Sequence, residues 1–96
     1  MSVYSWPPRY PVEVLDYTFD WSKHIGDDSV VALKPVEVDQ ASGLVIESYS
    51  LNGNVQTVRI SGGNPGKIGH IQLGCDTANS QEPTVVIDMI ILRGVS

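Results

Sequence analysis

The chain has 96 residues, 42% of them aliphatic or aromatic, and a formal net charge of −5. This length predicts one small domain, and the hydrophobic fraction is too high for a disordered chain. The negative charge repels phosphate backbones and anionic lipid, so neither nucleic acid nor a membrane is an expected partner.

The first twelve residues combine prolines with aromatic residues. Proline fixes its own φ and favours extended geometry in the residue before it. Residues 1–12 are therefore predicted to form an extended N-terminal arm, beside a domain that spans 13–96. One interpretation of this arm is a frayed tail. The other, which the aromatic residues favour, is an arm that binds a partner through Tyr4, Trp6, Pro7, Pro8 and Tyr10.

Beyond the arm, the sequence has the pattern of β-strands. Leu15, Tyr17, Phe19 and Trp21 alternate with polar residues, which is typical of a strand with one buried face. Further along, Pro35 places a second strand region at a sheet edge or divides it into two short strands.

The turns that follow indicate the fold class. Asn52-Gly53 predicts a tight hairpin with a type I′ turn, and the glycine-rich segment 61–66 is predicted to be a hairpin loop. About six or seven short strands, with turns every eight to twelve residues, are typical of a two-layer fold. The sequence therefore predicts an all-β protein, an antiparallel immunoglobulin-like β-sandwich.

The last strand region, 84–93, is apolar at nearly every position and is interrupted only by Asp88. Either its own fold covers both faces, or its outer face contacts another chain. A chain this short can scarcely supply a third layer, so the second interpretation is favoured. The predicted subunit contact consists of Val86, Ile90 and Leu92.

Residues able to carry out chemistry are few. Neither His24 nor His70 lies in a recognisable nucleophile motif. Asp27 and Asp28 lack the spacing of a calcium loop, and Cys75, on an apolar strand face, is predicted to be a buried, inert thiol. We therefore expect no catalytic residue, metal or cofactor, and the protein is not predicted to be an enzyme.

Four sequence stretches resemble a known family: 15–22 with its Asp-Trp-Ser, 25–30 with its Gly-Asp-Asp, 58–63 and 74–77. Across residues 13–93 the chain is similar to small immunoglobulin-like structural proteins of tailed bacteriophages. It departs from their pattern at Lys23-His24, where an aromatic or aliphatic residue is common, and in its apolar final strand. The family has no catalytic residues to transfer.

The resemblance implies a virion component, made in the host cytoplasm, that acts as a capsid decoration, neck, connector or fibre-attachment protein. Its expected partners are other virion proteins (capsid, neck or tail subunits) and copies of itself in a homo-oligomer. The alternative is a receptor- or carbohydrate-binding module of a fibre or baseplate. For that alternative, the turns supply polar side chains: Asn52, Asn54, Asn64 and Asp76.

Overall fold

The computed structural model describes residues 4–93, most of which lie in β-strands. The helical elements are a four-residue helix, α1 (Ser22–Ile25), and a 3₁₀ turn (Gln40–Ser42). The strands are β1 (Tyr4–Ser5), β2 (Leu15–Asp20), β3 (Val30–Leu33), β4 (Glu37–Val38), β5 (Leu44–Asn52), β6 (Val55–Gly62), β7 (Ile68–Thr77) and β8 (Thr84–Ile90).

The strands form two sheets. One sheet has the order β2-β6-β5, and the other has the order β1-β8-β7-β3, with β4 also paired to β7. All of these pairings are antiparallel except that of β1, which runs parallel to β8. The predicted all-β sandwich is confirmed. The eight strands exceed the six or seven expected because Pro35 separates β3 from β4 and because the arm supplies β1.

The core lies between the two sheets. The alternation predicted for β2 is confirmed, since Tyr17 and Phe19 are buried and Trp21, directly after the strand, is fully buried. Leu15 is an exception at 41% exposure. The same sheet adds Leu44, Val58 and Ile60, and the facing sheet contributes mainly from β7 and β8, through Ile71, Leu73, Cys75, Val85, Ile87 and Met89.

The final strand alternates despite its apolar sequence. Val85, Ile87 and Met89 point into the core, whereas Val86 and Ile90 are 36% and 51% exposed. The sandwich therefore covers only the inner face of β8.

Two connections differ from the sequence prediction. The β5–β6 hairpin forms, but Asn52 pairs with Val55, so the central turn residues are Gly53 and Asn54. Gly53 has a φ of 62°, and Asn54 is not among the residues with positive φ. This is the type II′ pattern, which requires glycine first, rather than type I′. The loop 61–66 is not a hairpin loop, because β6 and β7 lie in different sheets.

The buried carboxylate of Asp28 accepts hydrogen bonds that hold the chain near the start of β3. Asp28 is 7% exposed. Its Oδ1 accepts hydrogen bonds from the main-chain N–H groups of Ser29 (2.8 Å) and Asn79 (3.2 Å), and its Oδ2 accepts from Gln81 Nε2 (3.0 Å). These donors, and above all the Thr77 hydroxyl, lower the pKa of Asp28, although burial opposes the shift.

The lowered pKa of Asp28 predicts a loss of stability in acid. A carboxyl whose pKa is lower in the folded state stabilises the fold above its unfolded pKa of about 3.9, and this stabilisation disappears as the pH falls through the folded pKa. We expect Asp28→Asn to lower the thermal midpoint at pH 7 by several degrees. Because the variant lacks the titrating carboxyl, its thermal midpoint should also vary less with pH.

Circular dichroism melts between about pH 7 and pH 2.5 measure this dependence. The control is Asp27→Asn, which removes the same charge from an exposed neighbouring position and should follow the wild-type curve. An Asp28→Asn curve that runs parallel to the wild-type curve at every pH would show that Asp28 is not the titrating group.

Candidate protein interface

The N-terminal arm lies along the last strand of its own sandwich. After β1, the main-chain N–H of Trp6 donates to the Asp88 carbonyl (3.1 Å), and the N–H of Arg9 donates to the Ile90 carbonyl (3.1 Å). Pro7 and Pro8 have no N–H to donate, so the pairing with β8 is intermittent.

Trp6 connects the arm to the second sheet. Its ring stacks on Tyr17 with a centroid separation of 5.3 Å, and its Nε1 donates to the main-chain carbonyl of Thr18 (2.9 Å). Both partners belong to β2, which pairs on its other side with β6. The arm therefore closes one side of the sandwich, between β8 and β2.

Arg9 anchors the end of the arm inside the protein. The side chain is fully buried. Its Nη1 donates to the Ile60 carbonyl (2.8 Å), and its Nη2 donates to the Glu13 carbonyl. Burial raises the pKa of the neighbouring Tyr17 phenol, and the positive charge of Arg9 opposes that rise. The burial of Arg9 is not predictable from the sequence, because arginine is seldom fully buried and no motif around it marks it as a core residue.

A cavity of about 240 Å³ opens where the arm, β2 and α1 meet, and we call it the arm pocket. The Tyr4 ring packs edge-on against Phe19 at 5.1 Å, and its hydroxyl lies 3.2 Å from His24 Nδ1. Ile87 lines the floor together with these rings, whereas Asp20, Lys23 and His24 supply polar groups. The lining therefore combines aromatic and aliphatic groups with polar and charged groups.

The predicted arm residues divide between two sides. Tyr4 and Trp6 are half-buried against their own sandwich, whereas Pro7, Pro8 and Tyr10 are exposed. The next turn adds Val12, which is 88% exposed. The exposed surface of the arm therefore consists of Pro7, Pro8, Tyr10 and Val12, together with the mouth of the arm pocket.

A second exposed surface lies on the outer face of β7 and β8. Ile68 is opposite Ile90 in the strand register, and these two side chains are 54% and 51% exposed. Gln72 is opposite Val86. We call Ile68, Val86 and Ile90 the outer patch.

A polar pair lies within the outer patch. His70 is opposite Asp88, and its Nδ1 lies 2.8 Å from Asp88 Oδ1. The predicted contact residue Leu92 is half-buried beyond the strand and donates its N–H to the Arg9 carbonyl (2.8 Å). The structure thus brings Val86 and Ile90 onto one face, with Leu92 at its end.

Other residues that the sequence marks as candidates have structural roles. Asn54 Oδ1 accepts from the Val30 N–H (3.0 Å), and Asn64 Nδ2 donates to the Ala41 carbonyl (3.0 Å). Cys75 is fully buried as predicted, and burial raises the pKa of its thiol. Within residues 4–93, no group of three metal-ligating side chains is found, and no helix is long and apolar enough to cross a membrane.

Comparison with known proteins identifies the family. The model of the family described as podophage GP4 fiber-tail adaptor protein gp77 matches residues 9–89. The chain belongs to this family. A search of curated proteins gives no match.

Membership makes the chain a bacteriophage structural protein, associated with the virion and in contact with other virion proteins. The predicted resemblance to phage structural proteins is confirmed at this level, whereas the immunoglobulin-like detail stays a prediction. The match begins at Arg9, the buried end of the arm.

The two sides of the arm predict different effects of mutation. Trp6→Ala removes a ring stacked on Tyr17 and a hydrogen bond to β2, so we expect a loss of about 2 kcal/mol of unfolding free energy. Tyr10→Ala, on the exposed side of the same arm, should change it by less than about 0.5 kcal/mol. Urea denaturation measures both. Equal effects of the two substitutions would contradict the closure of the sandwich by Trp6.

Proposed function

We propose that this protein is a non-enzymatic adaptor that joins a fibre to the tail of a podophage particle through protein contacts. The observation that carries the proposal is the family match over residues 9–89. An adaptor acts through shape and adhesion rather than through a reactive group, and we assign no catalytic residue to it.

The outer patch is the first surface that we assign to such a contact. Exposed apolar side chains that adjoin one another are typical of protein interaction sites, and the Ile68–Ile90 pair is of this kind. The His70–Asp88 pair beside it gives the surface a polar feature with a fixed position. We infer that Val86, Ile90 and Leu92 pack against a neighbouring virion subunit.

The exposed side of the arm is the second surface. Pro7 and Pro8 limit the conformations of the arm, so little conformational entropy is lost when it binds. Tyr10 and Val12 project from it, and aromatic anchors often contribute most of the binding energy at an interface. The arm runs along the edge of β8 and hydrogen-bonds to Ile90, a residue of the outer patch, so the two surfaces adjoin.

A charge placed in the outer patch tests this assignment. Ile90→Lys puts an ammonium group where an apolar contact is proposed, while the exposed position leaves the core intact. In particles assembled from a genome that carries this substitution, we expect the amount of the protein per virion to fall at least tenfold. Quantitative mass spectrometry of purified particles measures it.

The matched control is Val45→Lys, which adds the same charge at an exposed apolar position of the other sheet, remote from the outer patch. It should enter particles at the wild-type level, and both purified variants should melt as the wild type does. Incorporation of Ile90→Lys at wild-type occupancy would contradict the role of the outer patch.

A further inference from the structure

The edge strands of the two sheets differ in how well they are protected from pairing with another chain. An exposed strand edge presents unpaired main-chain groups, which natural proteins cover, shorten, interrupt or charge. Among residues 4–93, the arm covers the edge of β8, and Trp6 bonds to the edge of β2, which also carries Asp16 and Asp20. The edge formed by β3 and β4 consists of strands of four and two residues.

The edge strand β5 has little of this protection. It is nine residues long and pairs with β6 alone among the described strands. Its sequence contains no proline, lysine or arginine, and Glu47 is its one charged residue. Glu47 lies where the register shifts between Ile46 and Ser48, so the uncharged stretch Ser48–Asn52 beyond it is regular.

The register shows which main-chain groups point outward. Asn52 and Val55 flank the two-residue turn, so they form a hydrogen-bonded pair. By the alternation of an antiparallel ladder, Tyr49 and Leu51 then direct their N–H and C=O groups away from β6. The Tyr49 side chain is 39% exposed, and Leu51 is half-buried.

We propose that β5 pairs with β5 of a second copy of this chain, antiparallel, about a two-fold axis at Ser50. In this register Tyr49 lies opposite Leu51 of the second copy, and the two such pairs exchange about four main-chain hydrogen bonds. Ser48 lies opposite Asn52, so no charge enters the paired stretch. Glu47 falls opposite Gly53, beyond the end of the strand, so like charges do not meet.

We infer that the partner strand belongs to a second copy of the chain because the stretch Ser48–Asn52 can pair with itself. A two-fold contact requires the same surface to fit itself, and Ser48–Asn52 does so because it carries no charge and its outward main-chain groups are spaced symmetrically about Ser50. Because β5 lies in the sheet opposite the outer patch, the pairing leaves that patch exposed in both copies. The inference stands apart from the fibre-tail function, which does not depend on whether the protein is a dimer.

Cysteine cross-linking tests the register. At the two-fold axis, Ser50 lies opposite Ser50 of the second copy in a non-hydrogen-bonded pair. The Cα separation of such a pair is about 4.5 Å, which suits a disulfide. We expect Ser50→Cys to form a covalent dimer under mild oxidation. Asn52→Cys is the control, because its two copies would lie about 13 Å apart along the strands. The native Cys75 is fully buried.

Charge substitutions test the contact without a cross-link. Tyr49→Lys should weaken the dimer at least tenfold, since it places lysines within the paired edge. Val45→Lys, at another exposed position of β5 on the far side of the register shift, and Ile90→Lys should both remain dimers. Sedimentation equilibrium measures the dissociation constants.

The proposal fails if the wild-type protein is a monomer at about 100 μM, a concentration at which even a contact of modest affinity is populated. It also fails if Asn52→Cys cross-links as readily as Ser50→Cys, or if Tyr49→Lys dimerises with wild-type affinity. Circular dichroism melts verify that every variant is folded.

Discussion

Trp6 holds the two sheets together at one side of the sandwich. Its main-chain N–H bonds to β8, its indole bonds to β2, and its ring stacks on Tyr17. In a domain of this size, where the core is small, such a closure adds buried area that the facing strands alone do not provide. Three residues further on, the buried Arg9 fixes the end of the arm with hydrogen bonds to main-chain carbonyls.

This closure makes the molecule asymmetric. On one side the arm covers the strand edges and presents Pro7, Pro8, Tyr10 and the arm pocket to solvent, whereas on the other side no strand within residues 4–93 pairs with the outer edge of β5. The outer patch occupies a third position, on the face of β7 and β8. The arm and the outer patch adjoin along β8, whereas the edge of β5 lies in the other sheet.

The sequence predicts what local patterns determine. Alternation identified the inward residues of β2, Pro35 divided a strand, and Asn52-Gly53 marked a hairpin, because each effect acts within a few residues. The path of the arm was not predictable in this way, since the parallel pairing of Tyr4 with Ile87 joins residues more than eighty positions apart. The burial of Arg9 likewise depends on the Ile60 carbonyl, which only the folded chain brings close.

Amide hydrogen exchange tests most directly the claim that the arm covers one side of the sandwich, whereas the outer edge of β5 on the other side is not paired with another strand of residues 4–93. We expect slow exchange at Trp6, Arg9 and Leu92, whose N–H groups bond between the arm and residues 88–92. We expect fast exchange at Tyr49 and Leu51 in dilute protein, with protection that appears as the concentration rises. Fast exchange at Trp6 and Arg9, or protection of Tyr49 and Leu51 that does not change with concentration, would contradict this claim.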